Sequence, residues 1–165
     1  MDSIQYLQRA ENEFILSTLI QKITLNKDIQ ENIFKIEEPQ SFFSSVITHS
    51  YYCIFYSAKA YLIKKGIKTT PPEEHKNTFN EFKKLVDKGI LDIELLKIYS
   101  KAIIEADTLL NIFKIEKSKR GKFTYQKLSQ ANKQPAEESL KNAKFFFSNT
   151  NLLLHKRTNL DIVSI

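Results

Sequence analysis

Glycine, proline and cysteine are all scarce in this chain, whose 165 residues include 3 Gly, 4 Pro and one Cys. Turn-dense β-sandwiches and glycine-dependent phosphate loops need more glycine than this, which excludes both classes. The single Cys53 cannot form an internal disulfide or a cysteine-based zinc site, and this favours a reducing, cytoplasmic location. Charges interrupt every apolar run well before about 18 residues, so neither a signal peptide nor a membrane-spanning helix is expected.

Histidine is also scarce, and its three positions, His49, His75 and His155, are dispersed over the chain. The sequence contains no His-x-x-x-His or His-x-x-Glu pair, although a metal site built on one helix needs ligands at such spacings. The sequence therefore predicts no bound metal and no other cofactor.

Hydrophobic residues make up 42% of the chain and recur mostly at helical spacing. This pattern predicts five helices, at residues 2–23, 40–65, 71–87, 92–115 and from 135 onward, with a connector at 26–40. The length suits one domain with a single core. We therefore expect one domain over residues 1–165, of all-α class, folded as an antiparallel up-and-down bundle of four to five helices.

Several residues predict where the helices begin and end. Gly66 and Gly89 follow the second and third predicted helices and are expected to end them. Thr70, Pro71 and Glu73 match a helix start, with Thr70 as the N-cap, Pro71 at the first position and Glu73 completing a capping box. The third helix is therefore predicted to begin at Pro71.

Positive charge is concentrated in one segment. The chain has 25 basic and 19 acidic residues, a net +6, and residues 114–127 alone hold six basic residues and one acid, a net +5. Aromatic residues lie between these cations, and such a mixture can pair with phosphates while stacking on bases. We expect an exposed basic loop over residues 116–134, serving either as a nucleic-acid contact or as a solvated surface. The candidate nucleic-acid-binding residues are Lys117, Lys119, Arg120, Lys122 and Phe123.

Three other residues are candidates for a site. His49 lies on the apolar central helix, either as a base or phosphate contact in a cleft or as a core histidine bonded to a neighbouring helix. His75, near a helix start, either helps to hold a phosphate or packs on the core and bonds a facing side chain. Asp107 is expected to project toward the core, where it orders one of these histidines or makes a structural hydrogen bond.

The central helix also carries Tyr51, Tyr52, Tyr56 and Tyr61. These residues are interpreted as core and dimer-interface aromatics instead of a base-stacking platform, because they are expected to surround the helix and not to line one exposed face.

The central helix and the segments after it carry several short motifs in a fixed order over residues of about 40–153. They are the segment HSYYCIFYSAKAYL at 49–62, His-Lys at 75–76, Lys-Gly-Ile-Leu-Asp at 88–92, Ala-Asp at 106–107 and Ala-Lys-Phe-Phe at 143–146. The order and spacing of these motifs resemble those of the HEPN family (higher eukaryotes and prokaryotes nucleotide-binding), in particular its small stand-alone members. The resemblance implies a helical bundle that usually dimerises; many members are metal-independent ribonucleases of toxin-antitoxin and antiviral systems, and others are partners of nucleotidyltransferases.

Catalysis in the nuclease branch of that family relies on an Arg followed four to six residues later by His. None of the three Arg in this chain has a His at that spacing. Ile103 and Thr108 stand where the family's Arg-x-x-Ala-Asp-Tyr has Arg and Tyr. His49 stands where the family has an Arg in the central helix. The leading interpretation is a non-enzymatic binding or regulatory component of a prokaryotic defence or toxin-antitoxin type system, which contacts nucleic acid or nucleotide and lacks the standard Arg-His ribonuclease site.

Two other functions stay open. One is a metal-independent ribonuclease with a rearranged site, in which His49 or His75 supplies acid-base function and Lys119 or Arg120 supplies the clamp. The other is a protein-interaction module. The expected partners are a second copy of the chain, or a nucleotidyltransferase or defence effector in a hetero-complex, with RNA or nucleotide as a further ligand and no membrane.

Overall fold

The computed structural model describes residues 1–118 and 132–155, and the side chains of 1–108 and 132–155. This part of the chain contains no strand. Its five α-helices are α1 (Ser3–Leu25), α2 (Phe43–Lys64), α3 (Glu74–Asp87), α4 (Ile93–Ser118) and α5 (Lys133–His155), with a π-helical turn at Ile29–Ile33. The all-α prediction is confirmed.

The helices that carry the candidate site pack around α2. Ser3 of α1 donates to the carbonyl of Ala60 near the end of α2, and Ser17 near the end of α1 contacts Ser50 near the start of α2. The two helices are therefore antiparallel. Helices α4 and α5 are antiparallel as well, since Glu105 bonds Ser139 at the start of α5, whereas the earlier α4 residue Tyr99 packs on the later α5 residue Phe146.

The α1–α2 contact is close because small residues occupy it. Ala10, Ser17 and Ser50 are fully buried, and the Ser17 hydroxyl donates to the carbonyl of Val46 at 2.9 Å while lying 2.9 Å from the Ser50 hydroxyl. Both hydroxyls are thereby paired inside the interface, which avoids the cost of burying unpaired polar groups. This packing of α1 on α2 sets the relative positions of the side chains that the two helices present to solvent.

The predicted start of α3 is wrong. The helix begins at Glu74, not at Pro71, and its N-cap residue Glu73 makes no capping hydrogen bond from its side chain. Pro71 precedes Pro72, and a residue before proline is disfavoured in the helical region, which delays the helix. Gly66 and Gly89 do follow α2 and α3, with φ angles of 77° and 68° in the left-handed region that suits glycine.

The ends of the expected basic loop differ from prediction. α4 continues to Ser118, so Lys117 lies in its last turn, and α5 begins at Lys133, two residues before Pro135. Pro135 fits there because backbone N–H groups in the first turn of a helix have no intrahelical partner. Residues 119–131 lie outside the described residues, including the candidates Lys119, Arg120, Lys122 and Phe123.

Candidate functional site

One side of α2 is aromatic. Tyr51, Tyr52, Phe55 and Tyr56 follow one another at the i, i+1, i+4 and i+5 spacing that places side chains on a single helix face. Tyr6 of α1 extends this row at one end, and His75 of α3 extends it at the other. We call these six residues the aromatic face.

The rings of the aromatic face contact one another continuously. The Tyr6 and Tyr56 ring centroids are 6.3 Å apart, those of Tyr56 and Tyr52 are 6.0 Å apart, and those of Tyr52 and His75 are 6.0 Å apart in an edge-on arrangement. The exposed Arg9 lies with its guanidinium carbon 4.6 Å from the Tyr56 centroid. These separations are typical of favourable aromatic and cation–π pairs.

The expectation that the tyrosines surround α2 is wrong for three of the four. Tyr51, Tyr52 and Tyr56 share the aromatic face; they are partly buried and pack against the core, as expected, whereas Tyr61 is 5% exposed and lies inside the core. Tyr52 follows Tyr51 by one residue and Tyr56 follows Tyr52 by four, and this spacing is the sequence signal for a shared helix face. A partly exposed aromatic surface therefore exists on this bundle.

His75 is held firmly at one end of the aromatic face. Its ring lies nearly parallel to Phe55, with centroids 3.9 Å apart and planes 10° apart, and its Nδ1 is 2.7 Å from the Tyr51 hydroxyl oxygen. Burial lowers the pKa of His75; Glu74 opposes this effect and Lys59 adds to it. Burial, with Tyr52 and Asp107, raises the pKa of Tyr51 to about 12.

His49 has a different partner. Its Nδ1 lies 2.6 Å from Glu13 Oε2 on α1, and the two side chains are 27% and 25% exposed. A carboxylate at this distance accepts a hydrogen bond from Nδ1–H and leaves Nε2 available to another group, which is the arrangement of a catalytic or ligand-binding histidine. Glu13 was not predicted because 36 residues separate it from His49 and no local pattern links them.

Asp107 does not project toward the core, and that expectation is wrong. Asp107 is exposed, and the half-buried acid of this turn of α4 is Glu105, two residues earlier, which accepts a hydrogen bond from the Ser139 hydroxyl. Burial raises the pKa of Glu105. Within the described residues, no hydrogen bond or ion pair joins His49, His75 and Asp107 to one another.

A buried lysine underlies the aromatic face. Lys59 is 2% exposed, and its ammonium pairs with Glu74, lies 3.4 Å from the carbonyl of Thr69 and 4.6 Å from the Tyr6 ring centroid. Burial by itself would lower the pKa of Lys59, but hydrogen bonding to Glu74 and Tyr6 outweighs burial and leaves the pKa raised. A lysine within an otherwise apolar helix is the sequence signal for this pair.

A groove with a volume of about 800 Å³ is lined by residues that are not part of the aromatic face. Its lining on the α2–α3 connection and α3 mixes cations and acids, and its Lys84 pairs with its Glu81 at 2.6 Å. The lining carries three lysines, Lys68, Lys83 and Lys84, against two acids, Glu81 and Asp87, so its formal net charge is only +1. No cluster of three metal-ligating side chains occurs among the described residues.

The described residues form an all-helical domain whose helices pack around the aromatic helix α2. The family model of the HEPN domain matches residues 27–153, so the chain belongs to the HEPN family. Domains of this family are generally nucleotide-binding or ribonuclease-like. A comparison with curated proteins finds no match. In the described part of the chain, no helix combines the length and the apolar character needed to cross a membrane.

Proposed function

We propose that this chain is a nucleic-acid- or nucleotide-binding component of a prokaryotic defence or toxin-antitoxin type system, and that the aromatic face is its ligand surface. The observation that supports this proposal is the continuous row of partly exposed rings from Tyr6 to His75, with Arg9 over Tyr56. A base stacked on an aromatic side chain gains about 1–3 kcal/mol. The surface therefore offers base stacking to a single-stranded ligand.

The charges near the aromatic face favour stacking over phosphate binding. Arg9 is an exposed cation beside these rings, whereas Lys59 is buried against Glu74. One guanidinium can pair with one phosphate. The segment 114–127 would supply further phosphate contacts, and its candidates Lys117, Lys119, Arg120, Lys122 and Phe123 stay a prediction. A cytoplasmic location also stays a prediction from the sequence.

Fluorescence anisotropy with a labelled single-stranded RNA tests the proposal. Tyr52→Ala and Tyr56→Ala should each weaken binding about 5- to 150-fold, since each removes one stacking ring. Phe145→Ala is the matched control, because Phe145 is an aromatic residue of α5 that is 47% exposed and is not part of the aromatic face. Equal affinity in wild type and both tyrosine variants would contradict the proposal.

A ribonuclease with a rearranged site is the second candidate function. The Glu13–His49 contact of 2.6 Å favours it, because a carboxylate-oriented histidine can act as a general base. We nevertheless expect no RNA cleavage in EDTA, since no Arg precedes a His by four to six residues. Cleavage by wild type that is lost in His49→Ala and retained in His155→Ala would replace the binding proposal with this one.

Assembly with a second copy, a nucleotidyltransferase or a defence effector is part of the proposal. Three apolar residues on the outer side of α1, Ile15, Leu16 and Leu19, are 41–50% exposed, and adjacent exposed apolar residues are typical of interaction surfaces. A homodimer in sedimentation experiments that becomes monomeric in Leu19→Lys would support the homodimer. A monomer at all concentrations would exclude the homodimer. The remaining possibilities would then be a hetero-complex, or RNA binding by the monomer.

A further inference from the structure

We propose that Tyr51 fixes His75 as a neutral donor with its proton on Nε2, and that this donor reads an acceptor atom on the edge of a base stacked on the aromatic face. The inference rests on the proposed function and deepens it. It assigns base discrimination, as distinct from base stacking, to one pair of residues. The ligand class is a nucleobase with a ring nitrogen or carbonyl oxygen at its edge.

The first step is the immobility of the His75 ring. Phe55 covers one ring face at a centroid distance of 3.9 Å, and Tyr52 stands edge-on at 6.0 Å. His75 also lies in the first turn of α3, where the helix restricts its backbone. The ring is therefore fixed in place while His75 as a residue is exposed.

The second step is the direction of the hydrogen bond. The Tyr51 hydroxyl oxygen is 2.7 Å from His75 Nδ1. At neutral pH Tyr51 is a protonated phenol because its pKa is raised to about 12, and a phenol O–H is a strong donor to a neutral imidazole nitrogen. In the proposed arrangement the hydroxyl donates to Nδ1, and the single ring proton of His75 lies on Nε2.

The third step is the charge around the ring. Lys59 of α2 and Glu74 of α3 both act on His75, with opposite effects on its pKa, and they are paired with each other. Asp107 of α4 acts on Tyr51 and raises its pKa. Burial is the largest effect on His75 and leaves its pKa lowered despite Glu74, so the ring is uncharged at neutral pH.

The last step is what such a donor can recognise. Among the described residues, Tyr51 is the hydrogen-bond partner of His75 through Nδ1, which leaves Nε2–H directed away from that bond. A base stacked on Tyr52 places its edge beside His75, because the two ring centroids are 6.0 Å apart. A neutral N–H discriminates a base that presents an acceptor there from one that presents a donor.

The tautomer is tested without any ligand, by long-range ¹H–¹⁵N NMR of the histidine rings at neutral pH. Wild type should show His75 with its proton on Nε2. Tyr51→Phe keeps the ring stack but removes the donor, so it should produce a mixture of tautomers and raise the pKa of His75. Tyr52→Phe is the matched control and should change neither. A proton on Nδ1 in wild type would overturn the inference.

Base reading is tested with four homopolymer RNA octamers, of A, C, G and U. Wild-type affinities should differ by about fivefold or more between the best and worst octamer, the value of one neutral hydrogen bond. Tyr51→Phe and His75→Phe should reduce this ratio toward one, whereas Tyr56→Ala, which removes a stacking ring that does not contact His75, should weaken all four octamers alike. If Tyr51→Phe binds the octamers with an unchanged ratio of best to worst affinity, the inference is overturned and the proposed function stays intact. Binding to none of the four overturns both.

Discussion

The two histidines of α2 and α3 differ in the group that holds them. His49 faces a carboxylate on α1, and His75 faces a phenol on α2 and lies flat on Phe55. A carboxylate favours a protonated Nδ1 and supports acid-base chemistry, whereas a phenol donates to Nδ1 and favours a neutral ring. The same residue type is therefore suited to different tasks in two regions of one bundle, and the partner determines which.

The surroundings of the two histidines differ in the same sense. His49 has no aromatic ring stacked on it among the described residues, and its side chain is about one-quarter exposed beside Glu13. His75 ends a row of aromatic rings and lies next to a buried ion pair. The His49 region suits proton transfer, and the His75 region suits stacking.

The largest effect should come from the ion pair beside His75. Glu74→Gln leaves the buried Lys59 ammonium without its partner and should destabilise the fold by about 3 kcal/mol. Lys59→Met should cost less, about 1 kcal/mol, because the Glu74 side chain that remains is 27% exposed and can be hydrated. Urea unfolding of the two variants measures this asymmetry.

The control for the ion pair lies on the same helix. Glu81 pairs with Lys84 at the surface, where the lysine side chain is 61% exposed, so Glu81→Gln should cost less than about 1 kcal/mol. Equal destabilisation by Glu74→Gln and Lys59→Met would show that the burial of Lys59 does not distinguish this region.

A smaller effect concerns pH. The pKa of His75 is lowered from the ordinary 6.5 in the folded state, so the unfolded state binds more protons between the two pKa values. Stability should therefore rise with pH through the window just below 6.5 and be lost as pH falls toward the folded pKa. Urea unfolding between pH 5 and 7.5 should show this rise in wild type and a smaller rise in His75→Phe.

The helices were predictable from sequence because their apolar periodicity is local, and α2 is as buried as its composition indicates. The start of α3 was missed because two consecutive prolines override a capping pattern. The site was less accessible to prediction. The aromatic face needs Tyr6 from α1 and His75 from α3, and the Glu13–His49 contact joins residues that only packing brings together.

The central claim is that the aromatic face binds a single-stranded ligand, and NMR of the aromatic ring protons during titration with an unlabelled RNA octamer tests it most directly. Ring currents of stacked bases should shift the Tyr6, Tyr52, Tyr56 and His75 resonances together and leave those of Phe145 in place. The account would be contradicted if bound RNA shifted only the His49 resonances. It would also be contradicted if RNA bound without shifting any ring of the aromatic face.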